Sequence, residues 1–259
     1  MTFLDSPLLF SKFKSHEFNE LCDLLCTVFE MSRTEITEVY DNIRSTFDEP
    51  GWPPHHIRRS IFKSGDESFQ ETYAKSPVIA VDLPSSFELD NGSQEKQTIV
   101  IIAQDSKSDR NSQEIPIGTP FGLHHKGSRE VLGTTKFYYE MIAVLMQMDY
   151  RVYLTDIFKV WVCDPGRPYN RIKLPLTDQN RFFKALEAEL PIINPSVVIT
   201  WGRDASFAMH KVKYDIKHLA FPHPGGAAGG AWAKLLGDSP TRVNKLAYWK
   251  SAISQALHH

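Results

Sequence analysis

The run Ile99-Val-Ile-Ile-Ala103 breaks off abruptly at Gln104-Asp105, and this break constrains the fold more tightly than any other feature of the sequence. A short, uninterrupted apolar and β-branched stretch reads as a strand buried on both faces of a parallel sheet. In open α/β sheets, ligands sit beyond the carboxyl ends of the strands. Asp105 stands at such an end, and a glycine-punctuated loop, Ile115-Pro-Ile-Gly-Thr-Pro-Phe-Gly-Leu123, follows it. Taken alone, Asp105 reads as a turn or helix cap. The later segments change that reading.

Strand, loop and helix alternate from Thr98 onward. The pattern predicts a helix from Gly133 to Met148 and a strand from Arg151 to Phe158, with polar Thr155-Asp156 near its end. An amphipathic helix follows from Asp178 to Leu190. A short apolar strand, Pro195 to Thr200, runs into Trp201-Gly-Arg-Asp-Ala205 and another helix. Leu219 to Pro222 leads into His223-Pro-Gly-Gly-Ala-Ala-Gly-Gly-Ala-Trp232, and Thr241 to Leu257 closes the chain as a helix. Such alternation predicts a three-layer α/β/α arrangement around a central parallel sheet.

The preceding residues read differently. Phe18, Leu21, Cys22, Leu25 and Phe29, then Ile36, Val39, Tyr40, Ile43 and Phe47, recur at helical spacing. A further helix is predicted within Ile57 to Tyr73, a short strand over Val78 to Leu83, and a polar connecting loop over Ser85 to Lys96. The division expected is therefore a mainly helical, acidic extension over 1–95 and an α/β domain over 96–259. Residues 1–95 carry 8 Lys/Arg against 17 Asp/Glu, and the remainder carries 21 against 14. The second segment has the sign a nucleic-acid partner requires.

No stretch has the roughly 20 apolar residues of a membrane span. The N-terminus lacks a basic region followed by an apolar run, so no secretory signal is expected. Three cysteines, Cys22, Cys26 and Cys163, make no disulfide framework, which points to a reducing, cytoplasmic location.

Four polar points fall at predicted strand ends: Asp105, Asp156, the Gly202-Arg203 turn and His223. In this order the segments resemble the uracil-DNA glycosylase superfamily, over about residues 96–255. Gln104-Asp105 resembles that family's water-activating motif. Thr119-Pro-Phe-Gly-Leu123 resembles the loop whose aromatic ring stacks on the flipped base. Tyr153-Leu-Thr-Asp-Ile-Phe-Lys159 resembles the base-reading segment, and Val197-Val-Ile-Thr-Trp-Gly-Arg-Asp-Ala205 the later strand and turn. His223-Pro224 with the glycines behind it resembles the loop that enters the minor groove.

The resemblance implies a monofunctional DNA glycosylase, acting as a monomer on DNA, with Asp105 and His223 catalytic. Gln104, Lys107, Phe121 and Asp156 would bind the base. Lys126, Arg129, Arg203 and the small residues Gly225, Gly226, Ala227, Ala228, Gly229 and Gly230 would meet the DNA backbone. Arg167, Arg171, Lys211 and Lys213 are further phosphate-contact candidates. Trp232 would anchor the loop or wedge into the duplex. The chemistry agrees: a carboxylate stabilises the sugar cation and orients a water, and a histidine donates to the base O2 as negative charge grows there.

Two departures from the family pattern bear on the substrate. The base-reading position, commonly Asn, is Asp156. A carboxyl sharing one proton with N3 and accepting from N4–H matches cytosine. Ser106-Lys107 replaces the Pro-Tyr of some uracil-specific relatives and supplies no wall beside base C5. A cytosine-type base modified at C5, hydroxymethylated or glucosylated, is therefore the expected target, with an anti-phage role by analogy. The alternatives are a repair glycosylase for uracil or another deaminated base, and a DNA-binding module without catalysis. Iron–sulfur relatives need four cysteines, so neither a cluster nor another metal or cofactor is expected.

Overall fold

The computed structural model describes residues 7–49, 56–92, 95–105, 115–131 and 133–257. In chain order the strands are β1 (Leu8–Phe10), β2 (His56–Ile57), β3 (Ile79–Asp82), β4 (Ser85–Leu89), β5 (Thr98–Asp105), β6 (Ile115–Gly118), β7 (Arg151–Phe158), β8 (Val160–Asp164), β9 (Arg167–Arg171), β10 (Val197–Trp201) and β11 (His218–Phe221). The helices are α1 (Ser15–Val28), α2 (Arg33–Ser45), α3 (Glu67–Lys75), α4 (Lys126–Glu130), α5 (Gly133–Gln147), α6 (Leu176–Ile193), α7 (Arg203–Met209), α8 (Gly229–Leu236) and α9 (Arg242–Leu257). Among the described residues, no helix is long and apolar enough to cross a membrane.

The fold is the expected three-layer α/β/α arrangement, around a six-stranded sheet of order β1-β4-β7-β5-β10-β11. Strands β7, β5, β10 and β11 run parallel. Strands β4 and β1 are antiparallel additions at one edge, so the sheet is mixed rather than wholly parallel. Ile99 to Ala103 are all buried, as a central strand covered on both faces requires.

Register decides which side chains share a face. Asp156 pairs with Ala103, Thr200 with Ile102, and Trp201 with Phe221. Paired residues point the same way, so Asp156, Ala103, Trp201 and Phe221 lie on one side. That side is covered by α5 and α9. Trp201 meets Tyr138 of α5 at 6.1 Å and Trp249 of α9 at 5.8 Å between ring centroids, and the Trp249 indole donates to the Met141 carbonyl at 2.9 Å. The opposite side belongs to α1 and α6, where the Tyr153 hydroxyl donates to Glu189 at 2.7 Å.

Two stretches differ from their sequence-based expectation. Ser85 to Leu89, expected within a connecting loop, is a strand paired antiparallel to β7. Its polarity misleads because Ser85 and Ser86 are buried while Phe87 and Leu89 join the core. Ile57 to Tyr73 is not a continuous helix. A short turn over Arg59–Ile61 precedes α3, whose start is fixed by Asp66 accepting from the Phe69 N–H at 2.8 Å.

Residues up to 95 also supply β1 and β4 to the central sheet, and their apolar side chains belong to the same continuous core as those of β5, β7 and β10. Arg151, at the start of β7, is buried against Glu17 of α1, with Nη1 donating to Oε1 at 2.9 Å and Nη2 2.8 Å from Oε2. Arg151→Met should destabilise the fold by about 3–5 kcal/mol, because it strands a buried carboxylate. Pairing it with Glu17→Leu should restore most of that loss. Urea unfolding of the two single variants and the double variant checks this; a single-variant change within about 0.5 kcal/mol would contradict it.

Candidate active site

The carboxyl rim of the parallel strands gathers side chains from both sheets. Asp105 ends β5 and is bonded to the Arg171 guanidinium at the end of β9. The Gln104 amide is assigned with its oxygen toward Arg171, because that oxygen faces two guanidinium N–H groups. Its nitrogen then donates to Asp204 at 2.9 Å. Arg171 also lies 3.9 Å from the Asp204 carboxylate. Burial raises the Asp105 pKa, and the charge of Arg171 pulls it back.

Asp156 is 3% exposed, deeper than any other acid of this rim. Its pKa is held well above the usual carboxylate range, first by burial and then by the charges of Asp82 and Asp105. Lys159, which opposes that rise, is itself committed behind the sheet. Its Nζ donates to Thr155 Oγ1 at 2.8 Å, to the Asp156 carbonyl at 3.1 Å and to Glu189 at 2.8 Å. Asp82, the last residue of β3, is the acid next to the Asp156 carboxyl, and the two carboxyls influence each other's protonation.

Phe121, Tyr138, Trp201 and His223 form an aromatic cluster. Phe121 sits in a turn with φ of 65°, an uncommon conformation for a bulky residue, and is only partly buried. Its ring centroid is 4.7 Å from Tyr138, 5.2 Å from Trp201 and 6.1 Å from His223. The ring is partly buried and packed against the core.

His223 follows β11. The Gly225 N–H donates to its Nδ1 at 3.0 Å, so the neutral ring carries its proton on Nε2. Burial lowers its pKa, and the charge of Lys245 lowers it further. Lys245 is fixed by donating to the Pro224 carbonyl at 3.1 Å. Gly225 permits the close approach: a Cβ there would lie 2.9 Å from Tyr138 Oη and 3.0 Å from His223 Nδ1.

Several expected contacts are placed elsewhere by the structure. Trp232 is fully buried, and its indole donates to the His223 carbonyl at 2.9 Å, so it anchors the loop and is no wedge. The glycine run is ordered secondary structure, a single turn over Gly226–Ala228 followed by α8. Around Gly226, Gly229 and Gly230 an added Cβ would meet nothing, so crowding there does not demand glycine; Ala227 is exposed and Ala228 half-buried.

Arg129 is no phosphate contact. It is buried, donates to the carbonyls of Leu123 at 2.9 Å and Phe47 at 3.0 Å, and lies 3.6 Å over the Phe47 ring. Burial pushes its pKa down to about 10. Lys126 is half-exposed and Arg203 almost fully exposed, so both remain open to a ligand. Lys107 lies outside the described residues. Asp82, Tyr138, Trp201 and Asp204 were not singled out as functional in the sequence, and Arg171 appeared there only as a phosphate candidate. All but Tyr138 follow strands or precede helices at the same rim, but Asp82 and Arg171 arrive on a second sheet that local pattern does not reveal.

No protein-family model matches the chain, and no curated protein matches it in sequence. Function has to be reasoned from the chemistry of this rim. Its neutral imidazole is directly measurable. Nitrogen-15 spectra at pH 7 should show His223 uncharged with Nε2 protonated, and Gly225→Ala should disturb that signal by crowding Nδ1. A charged ring, or the Nδ1–H tautomer, would contradict the assignment.

Proposed function

We propose that this chain is a monofunctional DNA glycosylase that flips out and excises a cytosine-type base carrying a C5 modification, 5-hydroxymethylcytosine or its glucosylated form. The product is an abasic site, and the role is defence against phage with modified DNA. The observation that carries the reading is that one sheet rim holds a carboxylate (Asp105), a proton-retaining carboxyl (Asp156), a neutral imidazole (His223) and an outlying aromatic ring (Phe121).

Each group has a task. Unstacking a base costs a few kcal/mol, and stacking on Phe121 returns roughly 1–3 kcal/mol. As the N-glycosidic bond breaks, its electron pair moves to base N1 and the sugar gains cationic character. Asp105 stabilises that cation and accepts a proton from the water that adds to C1′. His223 donates from Nε2 to the base O2, where negative charge collects. Asp156 accepts from N4–H and offers its proton toward N3. Arg171 holds Asp105 in place, and Gln104 in turn braces Arg171. Lys126 and Arg203 are the proposed phosphate contacts on a DNA partner bound by a single copy of the chain.

One observation keeps a second reading in play. A carboxyl that retains its proton presents one donor and one acceptor, a pair that also fits uracil N3–H and O4. Repair of uracil is therefore the competing activity. Incubation with duplexes containing uracil, cytosine, hydroxymethylcytosine and glucosylated hydroxymethylcytosine, scored for abasic sites, separates the two.

Asp105→Asn should retain DNA binding and lose excision by about 10²–10³-fold, since the charge acts chiefly in the transition state. Single-turnover kinetics beside a binding isotherm test this, and full activity in the variant would remove Asp105 from the mechanism. Asp156→Asn should lose excision of cytosine-type bases and gain excision of uracil. Each mismatched buried contact costs roughly 1–3 kcal/mol, enough to reverse a preference. A wild-type protein that removes uracil readily and ignores every cytosine derivative would establish the repair reading.

A further inference from the structure

Asp156 poses a problem of supply. It is 3% exposed, and among the described residues no N–H or O–H donor reaches its Oδ2. Yet the group beside it is a second acid, Asp82, close enough to share a proton with it. Two carboxyls can be joined by a hydrogen bond only if one of them keeps a proton. Asp82 closes β3 on the smaller sheet, of order β2-β6-β3-β8-β9, and remains partly open to solvent. Its backbone N–H donates to the Lys159 carbonyl at 3.2 Å, just past β7, which locks β3 beside the base-reading strand. Gly118 on β6 leaves room for its carboxyl: a Cβ there would sit 2.8 Å from Asp82 Oδ1 and 3.1 Å from His124 Cε1.

We infer that Asp82 and Asp156 form a carboxyl pair holding one proton, with Asp82 the port through which that proton reaches Asp156 and, from it, N3 of the departing base. The inference deepens the glycosylase reading and rests on it. In the step, the C1′–N1 pair of electrons goes to the base while Asp156 transfers its proton to N3, so cytosine leaves neutral rather than as an anion. The pair is left with two negative charges, and Asp82 takes a proton back from solvent. Water supplies the hydroxyl at C1′, and its other proton passes to Asp105. Asp82 never touches the base; it is a positioning residue that keeps Asp156 supplied.

The surrounding charges favour a retained proton. Asp105 on β5 repels a second charge on the pair, while Lys159 favours the ionised form of Asp156. His124 stands on the Gly118 side of Asp82, and Arg171 bonds Asp105 and lies 3.9 Å from Asp204. Burial raises Asp82 to about 7, with Asp105 adding to the rise. Asp82 ionises at about 7 while Asp156 keeps the remaining proton above it, so the one-proton pair forms as pH increases through about 7, and excision of a cytosine-type base should fall only at the higher pH where Asp156 itself ionises.

The test uses the full chain in two measurements. Carbon-13 NMR of the aspartate carboxyls, without DNA, should show one group titrating near pH 7 and its neighbour still protonated well above the ordinary range. Single-turnover excision from the four-base duplex panel should then be compared across pH for wild type, Asp82→Asn and Gly118→Ala. Asp82→Asn should slow excision of the cytosine-type base at least about tenfold and abolish or shift its alkaline limb. Gly118→Ala, which keeps both acids but pushes Asp82 aside, should do the same if Asp82 itself disturbs folding. Carboxyls that both titrate near 4, or pH profiles that superimpose on wild type in both folded variants, would overturn the inference. A paired titration in a protein that excises none of the four bases would instead overturn the glycosylase reading and leave the shared proton standing.

Discussion

The parallel ladder that seats β5 between β7 and β10 is the constraint on which the rim depends. Its register sets Asp156 level with Ala103 and Trp201 level with Phe221, all on the side covered by α5 and α9. Because side chains alternate with period two, a slip of one residue would turn Asp156 toward Glu189 and Trp201 away from Phe121. The apolar run that specifies this register, Ile99 to Ala103, contributes nothing to chemistry directly. Its burial on both faces makes any other pairing costly, and so fixes where the polar residues beyond it must stand.

Charge is buried on the side of the sheet away from the rim as well. Lys159, Glu189, Tyr153 and Thr155 form a closed network behind β7, and Arg151 with Glu17 forms a second pair near that strand's start. Such pairs contribute little net stability relative to apolar packing, but each fails badly if one partner is lost. Both bind β7 to helices from distant parts of the chain. Strand β7 is therefore held at both ends by interactions that tolerate little displacement, which fixes where Asp156 stands.

The smaller sheet changes the character of the rim. A doubly wound sheet alone would present Asp105 and Asp156 with their loops. Strand β3 brings Asp82 against Asp156, and β9 brings Arg171 against Asp105. One acid is thereby given a cation and the other a second acid. Burial raises both acids, but Arg171 draws Asp105 back toward the ionised form while Asp82 adds to the rise of Asp156. On the proposed glycosylase reading, two carboxyls of the same chemical type are thus prepared for different work, one to carry charge and one to carry a proton.

The strand ends were legible in the sequence because apolar runs such as Ile99–Ala103 and Val197–Thr200 stop sharply at polar residues, and a strand buried on both faces has no other way to end. That pattern also located Asp105, Asp156 and His223, and the Pro-Phe-Gly triplet marked Phe121 as a turn residue. Composition could not separate Arg129 from Arg203, since both are single arginines beside small residues; burial over Phe47 removes one, and exposure leaves the other. Nor could it show Ser85–Leu89 as a strand, because the ladder to β7 satisfies a backbone whose side chains look like those of a loop. Trp232 and the glycines after His223 were placed only by packing, through the indole bond to the His223 carbonyl. The sequence by itself determined that Asp105, Asp156 and His223 stand toward strand ends, since local hydrophobic pattern sets strand boundaries. Only the tertiary structure decided their partners and protonation, because those depend on Asp82 and Arg171, which lie 74 and 15 residues away along the chain from Asp156 and next to the rim acids only in space.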